Sequence, residues 1–300
     1  MLGSPFSITA SDRVGTMGSC FAQHLSRFLR RSGLNYFVPE AGDAERGYGV
    51  FSARYGNVYT VRQAVQLFDR AYGAWQPLDS AWRRGDVYVD PFRPQVDPSG
   101  FASEADLDAD RVEHLAAVRR VFEESSVLVF TLGLTEGWRD RRDGAVYPVV
   151  PGAAGGDFDP SRHEFVNFTA AEVTEDLLAL IDRVRGVNPD IRFLLTVSPV
   201  PLIATDTDAH VLAATTYSKS VLRVAAAEAE RSRDGVVYFP SYEVITSPAA
   251  GTSYFEDDLR SVSDRGVAHV MRVFSAHFLE EPAAPVDDAE VDERIAAEFR

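Results

Sequence analysis

The sequence predicts an α/β fold with a mainly parallel sheet that is covered by helices. Three continuous apolar runs, at 127–132, 191–197 and 236–239, have the length and uninterrupted hydrophobicity of strands buried on both faces. Segments with helical periodicity separate these runs, and strands that alternate with helices favour parallel pairing. The chain has 300 residues, of which 45% are hydrophobic, which is enough for one domain with a large core. We assign this domain to 10–280.

The first strand and helix are predicted within 14–31. An apolar run leads into Gly18, Ser19 and Cys20 and then into a helix that ends before Gly33. In open α/β sheets, ligands bind at the carboxyl ends of the strands. The amides at a helix N-terminus also favour negative charge that develops there. Ser19 is therefore a candidate nucleophile, although serine in this position is equally typical of a helix cap.

The later elements follow from periodicity and capping residues. Apolar residues at helical spacing predict five more helices: 60–71, 103–124, 169–185, 208–233 and 264–279. A short strand is expected at 35–40. Two segments rich in Gly, Pro and aromatic residues, 72–101 and 140–168, predict loop-rich insertions, with a small ribbon at 86–90. The acidic segment 281–300 is expected to be a disordered tail.

Composition excludes several classes of function. The net charge is −15 and the basic residues do not cluster, which argues against nucleic acid and anionic membranes as partners. Cys20 is the only cysteine, so neither an internal disulfide nor a cysteine metal cluster is expected. Without a secretory signal or the ~20 apolar residues of a membrane span, we expect a cytoplasmic protein.

Neither a cofactor nor a metal ion is expected from the motifs. The sequence contains no GxGxxG or Walker-type loop, which argues against nucleotide binding. Four acidic residues follow predicted strands or precede the last helix: Asp206, Asp208, Asp257 and Asp258. Their spacing is not that of a known metal site, so we interpret them as solvated loop carboxylates.

Residues 18–22 read GSCFA, and the chain resembles the GSCFA family within the SGNH (GDSL-like) hydrolase superfamily. The resemblance covers about residues 10–275. Further similar blocks are FSARYGNVYT (51–60), DPFRP (90–94), VFTLGLTEGW (129–138), TVSPVPLIAT (196–205), HVLAATTYSKS (210–220), YFPSYE (238–243) and LRSV (259–262). The resemblance to this superfamily implies a flavodoxin-like three-layer sandwich, a serine nucleophile, an oxyanion hole from three blocks and an Asp-x-x-His pair near the C-terminus.

The resemblance assigns roles to residues in the first blocks. Ser19 matches the nucleophile, and Gly56, followed by Asn57, matches the glycine whose amide helps to hold the oxyanion. Gly133 opens the block in which hydrolases carry GxND, so Thr135 replaces the asparagine that donates to the oxyanion. Losing one such donor typically costs about 10² to 10³ in rate. The next residue, Glu136, brings a carboxylate that repels an oxyanion if it is ionised and close.

The last block departs further from the superfamily pattern. Asp258 keeps the position of the acid, but Ser261 stands where the histidine is expected, and a serine hydroxyl is not a general base at pH 7. His210 follows a loop at the carboxyl end of a strand and is the candidate replacement, unless it only caps the long helix. Cys20 is a second candidate nucleophile, because thiols at helix N-termini ionise readily. A free cysteine is also often a small buried hydrophobe.

Two functions follow from these residues. The first is an acyl-ester hydrolase or O-acyltransferase acting on a carbohydrate or polysaccharide precursor. Ser19 attacks the acyl group, the amides of Ser19 and Gly56 with Thr135 hold the oxyanion, and His210 or Asp258 assists proton transfer. Six loop aromatics suit stacking on sugars, or form the core of the insertions: Tyr48, Phe51, Tyr55, Trp75, Trp82 and Trp138. The second is a binding protein that keeps the crevice and has lost turnover.

Overall fold

The computed structural model of the chain describes residues 6–248 and 253–280. The predicted tail at 281–300 lies outside them. In chain order the strands and helices are β1 (Val14–Gly18), α1 (Ala22–Arg31), α2 (Val61–Ala71), β2 (Trp82–Arg84), β3 (Val87–Val89), α3 (Glu104–Glu124), β4 (Val127–Leu132), β5 (Glu136–Asp140), β6 (Val146–Tyr147), β7 (His163–Asn167), α4 (Ala170–Val187), β8 (Arg192–Val197), α5 (Val211–Ser232), β9 (Val236–Phe239), α6 (Ser241–Thr246) and α7 (Asp264–Phe278).

The main sheet has four parallel strands in the order β1-β4-β8-β9. All four strands end at the same edge, with Gly18 beside Thr131 and Leu132 beside Val197. The strand expected at 35–40 is reduced to a parallel bridge between Tyr36 and Val14. Pro39 follows closely, and because proline has no N–H to donate it cannot extend the ladder.

Helices cover both faces of this sheet, because successive residues of a strand point to opposite sides. On one face Leu128 and Phe130 of β4 pack into a core with α2, α3, α4 and α5. On the other face Val127 and Val129 pack with α1, α6 and α7. The predicted α/β architecture with a parallel sheet between helical layers is confirmed. None of the described helices is long and apolar enough to cross a lipid bilayer.

Two small antiparallel sheets lie outside the main one. Strands β2 and β3 form a ribbon that begins earlier than the 86–90 predicted. Strands β5, β6 and β7 form the other, so the segment 140–168 is more regular than expected. These strands are short, and they form because segments distant in sequence pair with each other. The local sequence alone therefore does not indicate them. Helix α6 was also not predicted.

A buried cluster of ion pairs is centred on Asp90, whose carboxylate is 1% exposed. It accepts a hydrogen bond from Arg93 Nε at 3.1 Å, and nitrogens of Arg111 and Arg70 lie 3.4 and 3.6 Å away. Burial alone raises the pKa of Asp90, but these three positive charges outweigh it and hold the pKa far below its usual value. The cluster joins the loop after β3 to α2 and α3.

The same cluster fixes the loop at 51–59. Arg54, which is fully buried, donates from Nη1 to Asp110 of α3 at 2.9 Å. Arg93 donates to the other oxygen of Asp110 at 2.6 Å. The Arg54 amide donates to Glu40 at 2.6 Å. The position of this loop, which carries Gly56, is therefore set by buried charges.

We expect Asp90→Asn to lower the free energy of unfolding by about 3–5 kcal/mol, because it leaves buried arginines without their counter-charge. Urea unfolding followed by circular dichroism measures this change. Asp182→Asn is the control, since Asp182 pairs with Arg233 at the surface and its loss should cost less than about 1 kcal/mol. Equal effects of the two variants would contradict the role given to the buried cluster.

Candidate active site

Ser19 is the first residue after β1, in the turn that leads to α1. The turn requires glycine before it, since Gly18 has φ +131° and a Cβ there would lie 2.2 Å from the Thr131 carbonyl oxygen. Ser19 is 3% exposed, and its Oγ has no hydrogen-bond partner within the described residues. Phe21 is the N-cap residue of α1, and no side chain caps this helix. The Ser19 hydroxyl therefore does not cap the helix.

Two other backbone segments converge on Ser19. The Val58 amide donates to Gly18 O at 2.8 Å, which places 56–59 beside the end of β1. The Tyr59 carbonyl accepts from the amide of Gly133, after β4, at 3.2 Å. A Cβ at Gly133 would lie 3.0 Å from Ser19 Cβ and 2.8 Å from Tyr59 O. Ser19 thus lies where three segments are packed without space for another side chain.

The backbone amides around Ser19 differ in their availability. The Ser19 N–H donates to Thr131 O at 3.1 Å and so extends the sheet ladder. The amides of Cys20 and Gly56 have no protein acceptor among the described residues. Asn57 lies next to Gly56 and donates from Nδ2 to the Tyr59 hydroxyl at 3.1 Å. The amides of Cys20 and Gly56 are therefore not used by the sheet ladder.

Thr135 and Glu136 are both engaged with other groups. The Thr135 hydroxyl donates to Asn167 Oδ1 at 2.6 Å, and its amide donates to Ser218 Oγ at 3.0 Å. Glu136, the first residue of β5, accepts a hydrogen bond from the Thr205 hydroxyl at 2.8 Å. Burial raises the pKa of Glu136, as does the nearby Asp206. The structure thus directs the Thr135 hydroxyl to Asn167 and holds Glu136 against the β8–α5 loop.

The C-terminal block keeps its acid and pairs it with serine. The exposed Asp258 carboxylate accepts from the Ser261 hydroxyl at 2.5 Å and from the Ser261 amide at 2.7 Å. These hydrogen bonds lower the pKa of Asp258. Between the two residues, Arg260 has a buried Nε without a partner in the described structure. The charge of Arg260 acts on Lys219 and Tyr59, so this block does reach the site.

His210 is the N-cap residue of α5, and its Nδ1 accepts the Leu212 amide at 3.2 Å. Its exposed position and this hydrogen bond agree with the alternative that His210 only caps the long helix. The other five histidines have their own neighbours: His24 with Phe21, His114 with Glu40, His163 with the Asp159 amide, His269 with the Tyr254 hydroxyl and His277 with Val273 O. None of the six histidines hydrogen bonds to Ser19 Oγ.

Lys219 of α5 is a site residue that our reading of the sequence missed. It is 2% exposed, and its Nζ donates to Gly133 O at 2.6 Å. Burial lowers the pKa of Lys219 to about 7; the nearby Cys20 opposes this shift, and the charge of Arg260 adds to it. A signal for it was present, because Lys219 is the only lysine in the chain. The preceding Ser218 holds Thr135, so one turn of α5 anchors 133–135.

A cavity of about 220 Å³ lies beside Gly56 and Asn57, and Ser19 is not among its lining residues. Its wall includes Gln23 of α1, Asn57, Tyr59 and the aromatic Phe51. The remaining aromatic residues proposed for sugar stacking are absent from this wall. Most of them pack within the protein: Tyr55 and Trp82 are buried, Trp75 contacts Phe92, and Trp138 contacts Phe158.

Three potential metal ligands also meet away from Ser19. Atoms of Asp79, Asp140 and His163 lie within 4.8 Å of one another. Arg142 and Arg162 both pair with Asp79 and Asp140, and His163 Nδ1 accepts from a backbone amide. Because the arginines already neutralise the carboxylates, the group fits an ion-pair cluster better than a metal site.

The protonation of Lys219 is directly measurable, since a chain with one lysine gives one lysine ¹³Cε resonance. We expect this resonance to titrate with a midpoint near pH 7, because burial favours the neutral amine. The spectrum of Lys219→Met, which lacks the resonance, confirms the assignment. A midpoint near 10.5 would show that the amine is solvated and would contradict the buried geometry.

A protein-family model matches most of the chain. A family model described as the GSCFA family covers residues 13–274. No curated protein matches the chain. The matched region contains every described strand and helix that contributes to the Ser19 site, together with Gly18–Ala22, from which the motif is read. The chain therefore belongs to the GSCFA family.

Proposed function

We propose that this protein is an SGNH-like acyl-ester hydrolase or O-acyltransferase with Ser19 as its nucleophile. The observation that carries the proposal is the buried Ser19 hydroxyl without a hydrogen-bond partner. Leaving a buried polar group unpaired costs about 1–3 kcal/mol, and a catalytic role is one of the explanations for such a group in a native protein. Here the hydroxyl stands at the carboxyl edge of a parallel sheet, where α/β proteins bind ligands.

The sheet order supports the superfamily assignment. When the bridge at Tyr36 is counted as the second strand, the strands lie in the order 2-1-3-4-5. This is the order of flavodoxin-like sheets, which the resemblance to SGNH hydrolases implies. In such sheets the crevice forms beside the first strand, which here ends at Ser19.

The proposed reaction is acyl transfer through Ser19. The serine oxygen attacks the carbonyl carbon of a bound ester, and the resulting oxyanion is held by the free amides of Cys20 and Gly56. The alcohol leaves with a proton, and the acyl-enzyme is then cleaved by water or by a sugar hydroxyl. Thr135 contributes no hydroxyl donor in this arrangement, because that hydroxyl is directed to Asn167.

The cavity favours a small ligand. Its volume of about 220 Å³ is below the roughly 300–1,000 Å³ of pockets that enclose drug-sized ligands. A short acyl group on one sugar ring suits this volume, and Phe51 and Tyr59 offer aromatic contacts for the ring. We therefore propose a small or carbohydrate acyl ester as substrate, with the reaction located in the cytoplasm.

A binding protein without turnover is the second candidate. It is favoured by the histidines, none of which hydrogen bonds to Ser19, and by the pairing of Asp258 with Ser261. Under this hypothesis the crevice holds a ligand that Ser19 does not attack.

Reaction with a fluorophosphonate, followed by intact mass measurement, separates the two candidates. We expect one adduct on the native protein and on Cys20→Ala, and none on Ser19→Ala, because only an activated serine attacks the phosphorus. Ser125→Ala is the matched control, since Ser125 Oγ is also buried and unpartnered; this variant should react normally. No adduct, or an adduct lost only with Cys20→Ala, would overturn the proposal.

A further inference from the structure

The basic residues of this chain are arginines with a single exception. Among 30 basic residues, only Lys219 is a lysine. Arginine remains protonated in proteins, whereas a buried lysine readily becomes a neutral amine that accepts a proton. An ammonium needed only for its charge or its N–H groups does not explain why this one position differs from the others. This single lysine lies in the candidate active site.

Lys219 and Ser19 both lie next to the same residue, Gly133. Lys219 Nζ lies 2.6 Å from Gly133 O, and the position of a Cβ on Gly133 lies 3.0 Å from Ser19 Cβ. Because Gly133 has no side chain, it places none of its own atoms beyond the backbone beside either residue. Ser19 Oγ has no other partner in the described structure, so it is open to a new one.

The charges that face Lys219 favour loss of its proton. Arg260 approaches from the loop before α7 and repels the ammonium, whereas Cys20, beside Ser19, is the group that counteracts this effect. Burial is the largest influence, and together these groups hold the pKa of Lys219 near 7. A large fraction of the amine is therefore neutral at physiological pH, which suits a general base.

We propose that Lys219 is the catalytic base that accepts the Ser19 proton, in place of the histidine that the superfamily pattern expects. The inference rests on the acyl-transfer function proposed above. Neutral Nζ takes the hydroxyl proton as Ser19 Oγ bonds to the acyl carbon. The resulting ammonium gives that proton to the leaving alcohol when the ester bond breaks. In the second half-reaction, water or a sugar hydroxyl loses its proton to Nζ and attacks, and Nζ then returns the proton to Ser19.

The hydrogen bond to Gly133 O is the resting position of the amine. The proposed step requires rotation about the terminal bonds of the side chain, between staggered rotamers, to turn Nζ from this carbonyl toward Ser19 Oγ. Catalytic hydrogen bonds are often absent without substrate and form when substrate binds. Serine–lysine pairs are a recognised variant of the serine–histidine arrangement.

The test measures the second-order rate of fluorophosphonate reaction at Ser19 against pH. In the native protein we expect the rate to rise with pH with a midpoint near 7 and to level off at higher pH, because the neutral amine is the active form. The midpoint must coincide with that of the lysine ¹³Cε titration. Lys219→Met should lower the rate at pH 8 by about 10² to 10⁴, the usual contribution of a general base, and should remove the rise near pH 7.

Lys219→Arg separates catalysis from anchoring. Arginine retains a donor for Gly133 O and a charge, but it accepts no proton, so we expect this variant to be as slow as Lys219→Met. Added ethylamine should accelerate the reaction of Lys219→Ala, which leaves space for a small amine. Circular dichroism and thermal melting identify variants that do not fold.

Each alternative result has a distinct meaning. If Lys219→Arg reacts at the native rate, or the two native midpoints differ, Lys219 is not the base, although Ser19 remains the nucleophile. Comparing the two midpoints needs no variant. If the native protein forms no Ser19 adduct at any pH, the proposed function itself is overturned.

Discussion

The close backbone packing at Gly18 and Gly133 is the constraint on which the site depends. A Cβ at Gly18 would lie 2.2 Å from the Thr131 carbonyl oxygen, and one at Gly133 would lie 2.8 Å from the Tyr59 carbonyl oxygen. Since real Cβ atoms do not approach so closely, glycine is needed at both positions. This packing buries the Ser19 hydroxyl at the sheet edge. Gly133, which packs beside Ser19, also provides the carbonyl that accepts a hydrogen bond from Lys219 of α5.

The second wall of the site is held by charge. Gly56 and Asn57 belong to the loop that Arg54 ties to Asp110, and the same network extends through Arg93 to Asp90. A buried ion pair stabilises a fold no more than well-packed apolar side chains of similar size. Its directional contacts, however, fix the geometry of the loop. We therefore interpret this network chiefly as the contacts that hold the 51–59 loop, whose Val58 amide donates to Gly18 O, next to the end of β1.

Much of the fold was predictable because its signals are local. The apolar runs at 127–132 and 236–239 became β4 and β9, and the helix predicted at 169–185 became α4, which begins with a capping box of Thr169 and Glu172. The turn at Ser19 was predicted for the same reason. The partners within the site were not, since they are distant in sequence. Lys219 and Gly133 are separated by 86 residues. The hydrophobic periodicity of a sequence does not indicate which carbonyl will accept a hydrogen bond from a buried lysine.

The hydroxyl of Thr135 shows the same limitation. Its place in the GxND-like block predicted a donor to the oxyanion, yet Asn167, which is 32 residues away, takes its hydrogen bond. A block of sequence specifies where a residue lies along the chain. The direction of its side chain depends on which acceptor the fold brings nearest.

A lysine base in place of the expected histidine accounts for two departures from the superfamily pattern at once. A histidine base needs a carboxylate that orients the ring and stabilises the imidazolium. A buried lysine needs no such partner, because desolvation itself supplies the neutral amine. With the base on α5, position 261 no longer requires an imidazole and Asp258 no longer requires burial. In the structure, Ser261 and Asp258 pair with each other at the surface, while Arg260 between them is the residue whose charge acts on Lys219. The last block thus acts on the site through its arginine, by favouring the neutral amine.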